Sequence, residues 1–251
     1  MLSKNKIKWV NSLKLKKNRD AERVVVAEGG KIVSELLPVL RCRFLAHTPD
    51  VHLDNLLQYA DEIVEITEEQ YRKITFQKSP QGVLAVFEQS SCEYDVDKLT
   101  DSLSLALDNI QDPGNLGTIV RTADWFGVKD IFCSPDTADI YNPKVVQATM
   151  GAIARVRVHY VDLRHFLEEI KSKMPVYGTL MDGENIYQKP LGNKGVLLMG
   201  NEGKGISESL IPLISDKLLV PPYPSDSAGS ESLNVSIATA LCLAEFRRRA
   251  K

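Results

Sequence analysis

Residues 109–123 read Asn109-Ile110-Gln111-Asp112-Pro113-Gly114-Asn115-Leu116-Gly117-Thr118-Ile119-Val120-Arg121-Thr122-Ala123. The apolar run Leu103–Leu107 leads into them and has the composition of a buried strand. The chain then turns at Pro113-Gly114 and continues in a helical pattern. Asn115 carries an N-capping side chain, so the spacing predicts a helix over Leu116–Phe126. Gly117 and Arg121 stand four apart on one face of that helix, and the glycine leaves room for close approach beside the arginine. Taken alone, the stretch is a strand–turn–helix with a surface arginine.

Two further stretches lie downstream. The apolar strand Val196–Met199 runs into Gly200-Asn201-Glu202-Gly203-Lys204-Gly205, with three glycines in six residues. Such loops let backbone N–H and C=O groups reach a ligand. The usual phosphate loop is excluded, because Leu198 stands where its first glycine belongs and Gly205 follows Lys204. The dinucleotide fingerprint is excluded by Glu208 at its last glycine position. The third stretch begins with a strand at Leu218–Val220 and Pro221-Pro222-Tyr223. After a polar loop it continues as Glu231-Ser232-Leu233-Asn234-Val235-Ser236-Ile237-Ala238. Ser232 can cap a helix over Ser232–Arg249, with Asn234 in its first turn. Between these stretches, strands are expected at Ile131–Ser134, Val156–Tyr160 and Val176–Leu180, and helices at Pro143–Met150 and Leu163–Lys173.

Upstream, residues 3–22 set Ile7, Val10, Leu13 and Leu15 among lysines and predict one amphipathic helix with a basic face. Strands follow at 24–27, 43–47, 62–66 and 82–87, with helical stretches around Leu36–Leu40, Leu53–Tyr59 and Glu68–Phe76. Alternation of this kind implies an α/β unit with a mostly parallel sheet. The polar stretch Gln89–Lys98 reads as a linker, which sets a domain boundary near residue 96.

The chain has 251 residues, 43% hydrophobic and 25% charged, as expected of a globular protein of one or two domains. Its net charge of -2 hides an asymmetry. Residues 1–43 carry an excess of seven basic groups and the remainder an excess of nine acidic ones. A basic segment of this kind is either a solvated helix face or a contact for a polyanion. Cys42, Cys92, Cys133 and Cys242 form no CxxC pair and the histidines no HxxxH pair, so neither a metal site nor a disulfide framework is expected. Without a signal-like start or an apolar run near the ~20 residues of a membrane helix, a cytoplasmic location is expected.

Together the three stretches are specific. Asn109, Asn115, Gly117, Arg121 and Ala123, then the Gly200-Asn201-Glu202-Gly203 loop, then Glu231–Ser236 are similar to the three ordered motifs of the SpoU/TrmH branch of the SPOUT RNA methyltransferases. The first ~90 residues resemble the substrate-binding domain that often precedes it, through the basic helix Lys14–Arg23, the pair Glu28-Gly29 and the strand Gln81–Phe87.

The resemblance implies an α/β fold. A SPOUT domain with a deep trefoil knot would span residues 97–251, and a smaller L30e/L7Ae-like α/β domain would span residues 1–96. It implies S-adenosylmethionine as cofactor, held by Leu198, Met199, Gly200, Leu219, Pro221, Ser232 and Leu233. It implies transfer of a methyl group to a ribose 2′-hydroxyl of RNA, most often large-subunit rRNA. A tRNA ribose methyltransferase and a non-catalytic RNA-binding protein of the same fold are the alternatives. By motif, Arg121, Asn115, Glu202, Ser232 and Asn234 form the catalytic set. Arg121 is a base or a phosphate anchor, and its permanent charge favours the anchor. Lys14, Lys16, Lys17, Arg19 and Arg23 are the candidate RNA contacts. A homodimer through the C-terminal domain is implied, with no metal and no membrane. The loop Tyr223–Ser230 is longer than the family's usual link.

Overall fold

The computed structural model describes residues 2–90, 93–224 and 232–249. The long loop expected at 223–230 falls outside the described residues from Ser225 onward. The chain divides into two compact units, one of residues 1–91 with 139–154, the other of residues 92–138 with 155–251. A single boundary near residue 96 does not describe this division, because residues 139–154 pack with the first unit.

In chain order the helices and strands are α1 (Lys4–Ser12), α2 (Lys16–Glu22), β1 (Val24–Glu28), α3 (Gly30–Leu36), β2 (Cys42–His47), β3 (Ile63–Glu65), α4 (Glu68–Arg72), β4 (Val83–Glu88), α5 (Val96–Leu99), β5 (Leu103–Leu107) and α6 (Pro113–Trp125). They continue with β6 (Asp130–Cys133), α7 (Pro143–Thr149), β7 (Arg157–Tyr160), α8 (Leu163–Ile170), β8 (Val176–Asn185), β9 (Gly195–Met199), β10 (Asp216–Leu219) and α9 (Val235–Arg249).

The first unit is built on a four-stranded sheet of order β1-β4-β2-β3. The parallel sheet expected here is corrected: β4 runs antiparallel to both β1 and β2, and only β2 and β3 are parallel. Every residue of β1 is buried, because both faces of the strand are covered. Val25 and Ala27 join one cluster, which also takes Val146 of α7; Val24 and Val26 join another with Val10 and Leu13. The Glu28-Gly29 pair has a steric reason. Gly29 has φ +95°, and a Cβ there would meet Gln81 Oε1 at 2.1 Å, so only glycine fits beneath the Gln81 side chain.

The single helix expected over residues 3–22 is two helices, broken at Leu13–Leu15. Arg19 accounts for the break. Its Nη1 donates to the carbonyls of Leu13 and Lys14, each at 2.9 Å, and its Nη2 donates to Asp139 Oδ2 at 2.6 Å. A cation that satisfies the last carbonyls of a helix also complements its dipole. Arg19 is 2% exposed, which corrects its expected role as an RNA contact: the side chain is spent inside the first unit.

The second unit is a six-stranded sheet of order β10-β8-β9-β5-β6-β7, parallel throughout. All its strands therefore end on the same edge. The chain steps from β5 to β6 and β7 on one side, then crosses to β8, β9 and β10 on the other. The direction reverses between β5 and β9, and open parallel sheets bind ligands outside the carboxyl ends of strands at such a point. One face is filled by Phe132, Phe166, Leu167, Val196 and Leu198, with the Phe132 and Phe166 rings stacked 4.0 Å apart.

Candidate active site

The three motifs leave the sheet from the carboxyl ends of β5, β9 and β10. After β5, Asp108 and Asn109 turn the chain. Asn109 adopts φ +58°, a conformation that asparagine tolerates better than most side chains. Helix α6 then starts at Pro113 and is capped by Asp112, whose carboxylate accepts from the Asn115 N–H at 2.8 Å. This corrects Asn115 as the cap. The Asp-Pro pair was the signal, since proline favours the first helical position directly after a capping acid. With its backbone served by Asp112, the Asn115 side chain is free to point into the site. Leu116, Ile119, Val120 and Ala123 are buried and hold the helix to the domain.

The loop after β9 closes on itself through two Asn201–Gly205 backbone hydrogen bonds of 2.9 Å. A Cβ on Gly200 would stand 2.3 Å from the backbone of Gly205 and Ile206, so the turn requires glycine there. Asn201 fixes the loop further: its Oδ1 accepts from the Gly203 and Lys204 N–H groups, each at 3.0 Å. Its Nδ2 donates to the Asn109 carbonyl at 2.7 Å. Asp108, 5% exposed, accepts from the Ser207 N–H at 2.7 Å. These two ties lock the first motif to the second. Neither Asp108 nor Asn201 was singled out from the sequence; their signal is a side-chain acceptor placed directly after a strand.

The third motif enters through helix α9. Asn234, not Ser232, caps it: Asn234 Oδ1 accepts from the N–H groups of Ser236 and Ile237 at 3.0 and 3.3 Å. Asn234 Nδ2 donates to Asn115 Oδ1 at 3.0 Å, and Asn115 Nδ2 donates to Glu202 Oε1 at 2.9 Å. Asn201 Nδ2 also lies 3.4 Å from Glu202 Oε2. A continuous chain of hydrogen bonds thus joins residues 115, 202 and 234, one from each motif. Helices α6 and α9 run side by side in the same direction, held at the far end by Arg247 Nε donating to the Phe126 carbonyl at 2.7 Å.

Arg121 and Ser232 are not part of this chain. Arg121 is exposed on α6, six residues beyond Asn115, which is about 9 Å along a helix axis. Its guanidinium has no hydrogen-bond or ion-pair partner among the described residues. Ser232 is exposed, and Leu233 is 50% exposed.

The residues expected to hold the cofactor divide by what they can offer. Leu198, Met199 and Leu219 belong to strands, and their carbonyls accept from Thr179, the Asp108 N–H and the Ile186 N–H. They can supply apolar walls. Gly200 and Pro221 stand just past the strand ends, with no backbone hydrogen bond among the described residues. They can supply backbone groups to the edge of a base. Apolar walls, unpaired backbone groups and a glycine turn at a strand edge fit an adenine-containing ligand such as S-adenosylmethionine. No group of residues suited to a metal ion occurs among the described residues.

Comparisons with known proteins give the family. Residues 102–244 match the SpoU rRNA Methylase family, and residues 4–85 match the MRM3-like substrate binding domain. The chain is 30% identical over 247 residues to the 23S rRNA (guanosine(2553)-2'-O)-methyltransferase RlmP of Bacillus subtilis, covering 96% of both chains. A solved TrmH-family structure from Porphyromonas gingivalis is 39% identical, with a TM-score of 0.87 over 99% of each chain. An AdoMet-bound rRNA methyltransferase from Sinorhizobium meliloti is 29% identical, with a TM-score of 0.86 over 100% of this chain and 97% of that one. The fold is that of an α/β methyltransferase domain preceded in the sequence by a substrate-binding domain. The chain belongs to the SpoU rRNA methylase family.

Proposed function

We propose that the protein transfers the methyl group of S-adenosylmethionine to a ribose 2′-hydroxyl of large-subunit rRNA, on a guanosine as in the relatives named for that activity. The observation that carries this reading is the Asn234–Asn115–Glu202 chain, which draws three distant motifs together at the carboxyl edge of a parallel sheet. The cofactor, when bound, supplies an electrophilic methyl on a sulfonium. The protein's own residues do the rest. Gly200, Pro221 and the residues around them hold and bend the cofactor, in the knotted threading that the family implies. Asn115, Glu202 and Asn234 keep the three loops in register, so that hydroxyl, methyl and sulfur can align. Such positioning supplies much of the rate in a displacement of this kind. Arg121 grips an RNA phosphate and stabilises the alkoxide as the hydroxyl gives its proton to water and the sulfonium leaves as a neutral thioether, a task suited to a fork of permanent donors. Ser232 lines the same site.

The test is methylation of large-subunit rRNA taken from cells that lack the protein, with the modified ribose mapped. One new 2′-O-methyl group in that RNA is expected. Methylation of tRNA instead, or cofactor binding without transfer to any RNA, would overturn the reading. Arg121→Ala is expected to keep cofactor affinity within about twofold and lose transfer by ~100-fold or more, a scale set by loss of one oxyanion-stabilising donor.

We further propose a homodimer through the second unit. Ile237 and Leu241 stand four apart on α9 and are 51% and 36% exposed, and Leu233, just ahead of the helix, is 50% exposed. The opposite face of α9 is already buried through Cys242, Leu243 and Phe246, and Trp125 on α6 is 85% exposed. An apolar stripe on a helix whose other face is buried marks an interaction surface. Ile237→Asp is expected to give monomers in sedimentation; an unchanged mass would remove the proposal. No described helix is long and apolar enough to cross a membrane. With an rRNA substrate, the protein is proposed to work in the cytoplasm.

A further inference from the structure

The first unit contains a cavity of about 530 Å³ that the catalytic site does not use. Its walls come from two distant parts of the chain: Glu28 and the segment after α4 on one side, and α7 on the other. Phe76 supplies an aromatic ring, half-buried and fixed in place. The fixing group is Glu28, a carboxylate 4% exposed, which accepts from the Phe76 N–H at 2.7 Å and from the hydroxyls of Thr75 and Tyr71 at 2.5 and 3.0 Å. Lys14 Nζ stands 5.0 Å from the centre of the Phe76 ring.

Two amides of the cavity wall meet. Gln77 Nε2 donates to Gln147 Oε1 at 2.7 Å. That bond leaves the Gln77 oxygen as an acceptor and the Gln147 nitrogen as a donor, neither with another partner among the described residues. An adjacent acceptor and donor is the complement of the hydrogen-bonding edge of a base, which offers a donor beside an acceptor. Lys78 and Lys144 are exposed at the rim and have no partner among the described residues. They place positive charge where a phosphate would enter.

The geometry points to a binding site for one unstacked nucleotide of the RNA substrate. Its base lies along Phe76 and meets the Gln77–Gln147 amide pair, and its phosphate lies between Lys78 and Lys144. This rests on the reading that the protein acts on RNA, and extends it to a second contact away from the methyl-transfer site. The base must be unpaired. Duplex RNA hides its base edges in a deep, narrow groove, whereas single-stranded bases can splay out, stack on aromatic rings and hydrogen-bond on their edges. The volume falls within the ~300–1,000 Å³ of small-molecule sites, enough for one nucleotide.

The test uses the full chain and a seven-nucleotide single-stranded RNA carrying 4-thiouridine, crosslinked by light and mapped by mass spectrometry. Crosslinks are expected in the peptides that contain Phe76–Lys78 or Lys144–Gln147. A Gln77→Ala/Gln147→Ala variant is expected to weaken binding of the oligonucleotide by at least tenfold, with an unchanged melting temperature. Lys144→Ala provides a second variant whose exposed side chain is removed without disturbing the core. A duplex of the same sequence should not compete, and free mononucleotides should compete only weakly. Crosslinks confined to other peptides, unchanged affinity in both variants, or equal binding of the duplex would overturn the inference. Tight binding of free mononucleotides would assign the cavity to a soluble nucleotide instead and overturn it as well. Methylation of rRNA, measured separately on the wild-type protein, reports on the function independently of these outcomes.

Discussion

Asn115 uses both ends of its amide at once, the oxygen for Asn234 and the nitrogen for Glu202. An acid there would set one carboxylate against another. Asn115→Asp is therefore expected to harm methylation more than Asn115→Ala, although aspartate is the closer isostere. The alanine variant removes the two hydrogen bonds without placing a new charge beside Glu202. Equal activities for the two variants would show that the amide's donor is not what matters. Arg19 belongs to the same scale and teaches the opposite lesson. From sequence it is one more basic residue in a basic segment, yet it closes the end of α1 and pairs with Asp139. Removing one partner of a buried pair costs roughly 3–5 kcal/mol. Arg19→Ala is expected to lower the urea midpoint accordingly, while leaving the salt dependence of RNA binding unchanged.

At the scale of elements, the strands and helices of the second unit were largely legible, because each is a short apolar run or a clean helical stripe. The ends of α6 and α9 were not. At α6 the cap is Asp112 and the motif asparagine, Asn115, faces the site, whereas at α9 the motif asparagine, Asn234, is itself the cap; composition alone does not say which of the neighbouring polar residues serves the helix. The break between α1 and α2 was illegible for a related reason: it depends on Asp139, 120 residues away from Arg19. The antiparallel β4 was missed because the strand–helix rhythm carries no sign of strand direction.

The paired strands β6 and β7 show how such long-range partners govern pH response. Asp130, at the start of β6, receives Arg157 through two hydrogen bonds of 2.7 and 2.5 Å, and His159 at 2.9 Å. Burial alone would raise its carboxyl, but the hydrogen bonds from His159 and Arg157 and the charge of Arg157 outweigh it and hold the group at about 2. An unfolded aspartate titrates near ~3.9. The stabilisation is therefore complete above about pH 4 and is lost as the pH falls toward about 2. Acid unfolding followed by circular dichroism should show wild type losing stability across that window and Asp130→Asn, already weakened at neutral pH, losing less. A parallel decline of the two would exclude Asp130 as the source.

At the scale of the whole molecule, the charge asymmetry survives with fewer members. Lys16 pairs with Asp20 and Arg19 is buried, whereas Lys14, Lys17 and Arg23 are exposed and form no salt bridge among the described residues. Each phosphate neutralised on a single strand contributes about -0.7 to the slope of log affinity against log salt. Replacing Lys14, Lys17 and Arg23 together with alanine is expected to flatten that slope by about 2. An unchanged slope in filter-binding titrations would place the RNA elsewhere.

The return of residues 139–154 to the first unit has an architectural consequence. The chain passes between the units three times, near residues 91, 138 and 154. The substrate-binding unit is therefore not a cassette that can be cut out at the linker. A fragment ending at residue 91 would lack the carboxylate that neutralises Arg19, the Val146 side chain in its core and the helix that walls its cavity. Grafting this specificity onto another methyltransferase means transplanting residues 139–154 along with the leading segment, so the first unit changes hands only in two pieces.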